Sequence, residues 1–539
     1  MDGWRSKRWV CCGILLTGFF LNHETGQSVI HAGDYFLTIG GGYAPSSNQI
    51  SLERNVIFFQ DVLGRLYRDP VHHDVLFSDG NDPGRDLQFR RVAPLPREYE
   101  LLGQLFDAGK GQKNFYRDHE LNDVRGSSSL TQFKSWIKET GATLTPDDRL
   151  VIYVTAHGGK STTKGQSGNT CIYLWNKERL DVAEFARSLK ELPAEVPVAL
   201  VMVQCYSGGF TNLLFESGDR SRGIADRDVA VFCATIESRP AAGCTADINE
   251  ENYHEYSSSF WAAIGGQTRT GDSVPAADFD QNGRVSLSEA HAFAVATLPS
   301  IDLPICTSDV FLRQYSSQTD AGGEEVTLVT DSAPRTELEA LATPAQKYVL
   351  DSLTTQLEIA DEDLKSKATE LKRRLDGELK EIDRQLGRAR GQVSSSRTLI
   401  QRTVLTRWPE LNQSWHPEIA SIVENDRDAL LNVIETHSEF AQWQQRVQAV
   451  EELDAQKLQK KKEQARCERL LYLLESLALT ANLPLVASEE IQQRYTQLRA
   501  MEGMSLGTGS GSSHEMTTVT ARKIPPTETS PAPVDSSGE

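Results

Sequence analysis

The sequence is poor in cysteine, with 8 in 539 residues. Two of these, Cys11 and Cys12, fall inside an N-terminal apolar run. The others, Cys171, Cys205, Cys233, Cys244, Cys306 and Cys467, are too sparse for a disulfide-built scaffold. Cys233 and Cys244 are near enough in sequence either to pair in an oxidising compartment or to remain thiols, and Cys467 reads as free. Basic residues are also in deficit, 56 against 75 acidic, for a net charge of −19. A dedicated nucleic-acid binder needs basic surface to displace counterions, and docking on an anionic membrane needs the same. Neither class fits. Long apolar runs are missing too. Trp9 to Leu21 is shorter than the roughly 20 residues a spanning helix requires. It follows Arg5, Lys7 and Arg8 and ends at Asn22-His23-Glu24, the pattern of a secretory signal. Residues 1–30 are therefore expected to be a signal peptide. The mature chain is expected to be exported, periplasmic or extracellular, with no stable membrane span.

What is present first is alternation. Hydrophobic residues make up 39% of the chain, enough for a large core along part of it. From 31 to about 315, strand-like runs (Tyr35–Ile39, Val75–Phe77, Leu150–Thr155, Cys171–Trp175, Val196–Val203, Val229–Cys233) alternate with helix-like ones (Leu52–Leu66, Val182–Leu192). Continuous apolar strands separated by helices predict an α/β fold with a mostly parallel central sheet covered on both faces. Gly40-Gly41-Gly42 follows a strand, but Pro45 stands where a dinucleotide fingerprint needs its third glycine, so no cofactor cradle is implied. His72-His73-Asp74 reads as a turn.

From 335 to about 500 glycine becomes rare and charge dominates. Leu364, Ala368, Leu371, Leu375, Leu379, Ile382, Leu386, Ala389 and Val393 recur in steps of four and three, a coiled-coil or long-hairpin pattern. Trp408-Pro409 and Trp415-His416-Pro417 break it, and a second helical stretch follows from about Arg427 to Leu479. An intramolecular hairpin is favoured over pairing between chains, with self-association the alternative. Lys457–Arg469 reads as a solvated face. Residues 501–539, rich in Gly, Ser, Thr and Pro beyond Gly507, are expected to be disordered.

Three segments can carry chemistry. Val151-Ile-Tyr-Val-Thr-Ala-His157-Gly158-Gly159 puts an imidazole and two glycines directly after a buried strand. Val201-Met-Val-Gln-Cys205-Tyr-Ser-Gly-Gly209 does the same with a thiol. Ligands of open parallel sheets bind at the carboxyl ends of strands. If these strands are neighbours, Cys205 is a nucleophile beside His157, whose charge lowers the thiol pKa. The backbone N–H groups of Gly158 and Cys205 can then serve as an oxyanion hole. The third segment, residues 278–289, is an EF-hand-type calcium loop. Asp278, Asp280, Asn282, Ser286 and Glu289 supply oxygens, Gly283 makes the sharp turn, and Arg284 offers its carbonyl. A helix follows it and none precedes it, so the Ca²⁺ site stands alone.

The two glycine-flanked motifs resemble the catalytic motifs of the caspase/legumain clan of cysteine peptidases, and within it the legumain family, which includes the catalytic subunit of the GPI-anchor transamidase. The resemblance spans about residues 33–315. It implies a caspase-like three-layer fold over 31–330, Cys205 as nucleophile and His157 as general acid/base. It also implies Arg54 as a residue of the specificity pocket. Gln204 departs from the family, whose members often carry a small residue before the cysteine. The implied activity is cleavage of peptide or protein substrates through an acyl-enzyme. Transpeptidation, where an amine replaces water, and a silent scaffold acting through the coiled coil are the alternatives. A chain ending near residue 330 is expected to keep activity.

Overall fold

The computed structural model describes residues 33–90, 94–106, 114–316, 327–360, 362–413 and 416–507. The expected signal peptide, Trp415 and the tail from 508 lie outside the described residues.

Strands β1 (Asp34–Gly41), β2 (His72–Phe77), β3 (Leu87–Arg90), β4 (Asn114–Arg117), β5 (Val124–Gly126), β6 (Arg149–Gly159), β7 (Cys171–Tyr173), β8 (Arg179–Asp181), β9 (Val198–Met202), β10 (Val229–Cys233) and β11 (Ile305–Cys306) are described. The central sheet runs in the order β11-β10-β9-β6-β1-β2-β5. It is parallel from β10 to β5, with β11 added antiparallel at one edge. β7 and β8 form a short antiparallel extension of the C-terminal end of β6, and β3 pairs β4 apart from the sheet.

Alternating side chains send each strand's apolar residues to both faces, as a covered parallel sheet requires. Leu37, Ile39, Ile152, Val154, Leu200 and Val231 face one helical layer. That layer is α3 (Leu130–Glu139), α4 (Val182–Leu189) and α7 (Thr307–Tyr315). Phe36, Val151, Tyr153, Val201 and Phe232 face the other, which is α1 (Ile50–Leu66), α5 (Tyr256–Gly265) and α6 (Leu287–Thr297). The result is a three-layer α/β fold. His72-His73-Asp74 is strand rather than turn. The His73 ring bonds Thr38 Oγ1 at 2.8 Å, and Asp74 accepts from Trp136 Nε1 at 2.7 Å, so the sheet itself satisfies these polar groups.

Seven further α-helices are described after 330: α8 (Arg335–Leu341), α9 (Pro344–Gln356), α10 (Leu364–Arg407), α11 (Glu418–Asn425), α12 (Arg427–Glu435), α13 (Phe440–Val486) and α14 (Glu489–Glu502). The two long helices, α10 and α13, pack as an antiparallel hairpin within the chain. Arg390 pairs Asp454 (2.8 Å), Lys457 pairs Asp383 (2.5 Å) and Lys460 pairs Glu378 (3.0 Å), in opposite order along the two helices. Leu364, Ala368, Leu375, Leu379, Ile382 and Leu386 form the buried seam. Trp408, α11 and α12 turn the corner. There Ile400, Val404, Ile422 and Leu430 clasp Leu101, Leu102 and Leu105 of α2 (Arg97–Phe106), which lies between β3 and β4 in sequence.

The helical region is not separate from the sheet domain. Leu483 and Leu498 enter the core on one face of the sheet, and Met501 and Leu506 enter the other. Residues 501–507, expected to begin a disordered tail, are therefore packed. Arg469, expected on a solvated face, is 2% exposed. Its guanidinium donates to the carbonyls of Val295, Leu298, Ser300 and Asp302, groups that the end of α6 and the following turn leave without helical partners. One stretch of α13 is apolar enough, by length and composition alone, to cross a membrane, which is consistent with the expectation of no stable span. It holds Leu470, Leu474 and Leu477, buried against α9 as in a core helix. All six described cysteines are free. Cys233 is buried, with its thiol on the Ser207 carbonyl (3.2 Å), while Cys244 is exposed.

Candidate active site

β6 and β9 are adjacent and parallel, in register up to Val154 opposite Met202. Three residues beyond each partner come His157 and Cys205, so both stand at the same carboxyl edge of the sheet. Gly158 shows how closely their backbones approach. A Cβ there would lie 2.0 Å from the Cys205 carbonyl oxygen and 2.7 Å from Gln204 Cγ. The glycine is thus required by the contact between the two motifs. Gly209, in the second motif, is equally confined, since a Cβ would stand 2.1 Å from Thr170 Oγ1.

Each side chain is held from elsewhere. His157 Nε2 bonds the Ser47 carbonyl (2.8 Å) and Gln49 Oε1 (3.0 Å), and the ring meets Tyr43 edge-on. The glycine run after β1 makes this possible. At Gly42 a Cβ would stand 2.3 Å from the Ser47 carbonyl oxygen, so only glycine lets segment 43–49 fold back onto the histidine. The Cys205 Sγ accepts from the Ala241 N–H (3.3 Å) and lies 3.7 Å from the Ala241 carbonyl. That loop is fixed in turn by Asp302, whose Oδ1 accepts the Ala242 N–H at 2.7 Å. Arg469 therefore reaches the thiol indirectly, through the 295–302 turn, Asp302 and Ala242. Gln204 is buried, and its amide finds no hydrogen-bond partner among the described residues.

The electrostatics differ from the expected thiolate–imidazolium pair. Burial pushes the Cys205 thiol above its ordinary value, partly offset by the Ala241 bond and reinforced by Asp302. Burial also lowers the His157 pKa, partly offset by the Ser47 carbonyl. No direct bond joins the two side chains among the described residues. Both shifts favour the uncharged forms, thiol at Cys205 and imidazole at His157. Asp302 is raised to about 7, mainly by burial.

Arg54 lies in the first turns of α1, near the loop that holds Cys205. Ser51, one turn before it, exchanges hydrogen bonds with Thr245: its N–H donates to the Thr245 carbonyl (3.2 Å), and its Oγ accepts the Thr245 N–H (2.8 Å). Arg54 is not a free cation; its Nε stands 3.7 Å from Glu250, which also lies 3.6 Å from Arg269. Arg269, which sequence reasoning missed, is buried and donates to Asn55, Ser258 and Glu255. Ser47, Gln49, Ala241 and Asp302 were missed as well. None carries a local signal, because each acts through a backbone group or across more than 35 residues.

In the 278–289 loop, Asp278, Asp280 and Glu289 bring carboxylate oxygens within 4.8 Å of one another. Gly283 turns with φ +86°. Asp278 accepts the N–H groups of Asn282 and Gly283, and Asn282 accepts that of Arg284. Glu289, 4% exposed, accepts from Phe279, Asp280 and Ser286 and closes a capping box with Ser286 at the start of α6. No helix lies directly before the loop, over 266–277. Ser286 instead pairs antiparallel with Ser505, and the Arg284 guanidinium donates to the carbonyls of Leu506 and Gly507.

No family model and no curated protein matches this chain. Among solved structures, protein GSU0716 from Geobacter sulfurreducens is similar at 10% identity, over 40% of this chain and 77% of its own, with a TM-score of 0.25.

Proposed function

We propose that the chain is a cysteine endopeptidase of the caspase/legumain clan, exported in its mature form. The observation that carries the reading is the contact of Gly158 with the Cys205 carbonyl, which sets imidazole and thiol at one carboxyl edge of neighbouring parallel strands. With both groups neutral at rest, His157 takes the thiol proton as sulfur attacks the peptide carbonyl. The imidazolium then gives that proton to the leaving amine as the C–N bond breaks. Water, deprotonated by the same imidazole, releases the acid from the acyl-enzyme.

Arg54 is proposed to read the residue before the scissile bond, favouring Asn or Asp, whose side-chain oxygens accept from a guanidinium. Profiling a peptide library with the mature protein tests the reaction and the specificity together. Arg54→Ala should lower kcat/KM for Asn and Asp substrates about tenfold or more, while cleavage after small residues changes little. A profile dominated by Lys or Arg would mean that Glu250 and Glu255 set the pocket, and no cleavage of any peptide would remove the peptidase reading.

We further propose that the 278–289 loop binds Ca²⁺ through Asp278, Asp280, Asn282, the Arg284 carbonyl, Ser286 and Glu289. Three converging carboxylates on a glycine turn suit a hard cation. A ligand held only by the native state stabilises by about 2.7 kcal/mol at a hundredfold excess over Kd. Calcium should therefore raise Tm, and Glu289→Gln should remove most of that rise. An unchanged melting curve after chelation, with no calcium found by elemental analysis, would count against the site.

A further inference from the structure

A second cluster lies where the β11 edge of the sheet meets the C-terminal helices. A ring nitrogen of His291 (α6), the Cys306 thiol (β11) and a carboxylate oxygen of Asp309 (α7) all lie within 4.8 Å of one another. His291 and Cys306 are buried. They line a cavity of about 100 Å³, whose far wall is Tyr472 and Ser476 of α13 and Arg499 of α14. One water needs roughly 10–15 Å³, so an ion and its water fit.

We propose that His291, Cys306 and Asp309 form a zinc site, with the fourth position open to the cavity. The donor set is the first reason. Imidazole, thiolate and carboxylate together suit a borderline cation such as Zn²⁺, whereas the all-oxygen 278–289 loop does not. The orientation of the histidine is the second. Tyr256 Oη engages His291 Nδ1 at 2.7 Å, and Nε2 has no hydrogen bond among the described residues. An outer partner on one ring nitrogen is how ligating histidines are usually aimed. Asp309 is the third. Its Oδ1 accepts from Ser476 (2.9 Å) and its Oδ2 from the Cys306 N–H (3.0 Å), so the carboxylate is fixed beside the thiol. The Cys306 thiol points at that same Oδ2, 3.4 Å away.

The thiol of Cys306 would bind as thiolate: the Zn–S bond forms as the S–H bond breaks, and the proton leaves to solvent. Thiolate and carboxylate then offset the ion's charge, with Asp309 sharing its own with Arg313 (3.9 Å). The neighbouring Arg499–Glu502 pair (2.7 Å) is already balanced. Because Ser476 holds a ligand, the metal would tie α13 to the sheet edge.

The test uses the full mature chain carrying Cys205→Ala, so that the proposed active-site thiol cannot bind the probe. One equivalent of Co²⁺ should give a thiolate-to-cobalt charge-transfer band that Zn²⁺ displaces. Cys306→Ser should abolish the band, and Asp309→Asn should weaken Co²⁺ binding about tenfold or more. Asp280→Asn, an exposed change in the 278–289 loop, should leave the band intact. A missing band, a band that survives Cys306→Ser, or one lost in Asp280→Asn overturns the site. If Cys306→Ser does not fold, zinc-edge X-ray absorption of the parent decides. One sulfur at about 2.3 Å with nitrogen and oxygen neighbours supports the assignment. A sulfur-free shell, or one with several sulfurs, defeats it.

Discussion

Cys205→Ala should lower kcat/KM for a good peptide substrate by about 10⁴-fold or more, and His157→Ala should do nearly the same. Groups that act as one unit each carry most of the effect when removed singly. Both variants should keep a native far-UV spectrum, since neither side chain supports the core. The pH profile separates this mechanism from one that uses a preformed ion pair. His157 must be neutral to take the thiol proton, and burial lowers its pKa, so the acid limb should fall below 6.5. The thiol pKa is raised, so the alkaline limb should lie above 9.0. Activity should be flat between them. A bell centred near pH 5 would mean that thiolate and imidazolium coexist at rest. Retained activity in Cys205→Ala would end the proposal.

A chain truncated after residue 330 should fail to fold, contrary to what the sequence alone suggests. Truncation removes Leu483 and Leu498 from one core and Met501 and Leu506 from the other. Losing one buried Leu or Met side chain costs about 2–5 kcal/mol, against a total stability of about 5–15 kcal/mol. The truncation also strips Arg469 from four carbonyls and Glu502 from the start of α7, where Glu502 accepts from Thr307 Oγ1 and the Ser308 N–H. Arg469→Ala in the full chain isolates one part of this. It should destabilise the protein and lower activity together, because the 295–302 turn carries Asp302 toward the Cys205 loop. A soluble, active 31–330 fragment with a cooperative melt would show the helices to be dispensable.

The elements nearest the thiol and imidazole were legible because their signals are local. β6 and β9 are continuous apolar runs, the first ending in Gly158-Gly159 and the second followed six residues on by Gly208-Gly209, and the 278–289 loop carries its ligand spacing in twelve consecutive positions. The long hairpin was legible from its apolar period. What stayed hidden depends on distant partners. His73 reads as polar until Thr38 is placed across the ladder. Arg469 sits in a charged run and looks solvated, because its carbonyl partners are 167 to 174 residues away. The segments from β3 to β4 show no clear period, since α2 buries its leucines against the hairpin tip rather than the sheet. The thiol's raised pKa was hidden for the same reason, being set by burial beneath a loop that no motif announces.

The pairing of Ser286 with Ser505, and of Arg284 with the carbonyls at 506–507, bears on the order in which the molecule is made. A nascent chain is synthesised from its N-terminus, and Cys205 emerges long before Leu483 or Leu506. Until those late residues arrive, both faces of the sheet lack part of their cover, and the loop at 278–289 lacks its strand partner. Those last described residues therefore finish both cores and the pairing of the loop together, so the sheet domain reaches its full packing only after residue 507 has been made.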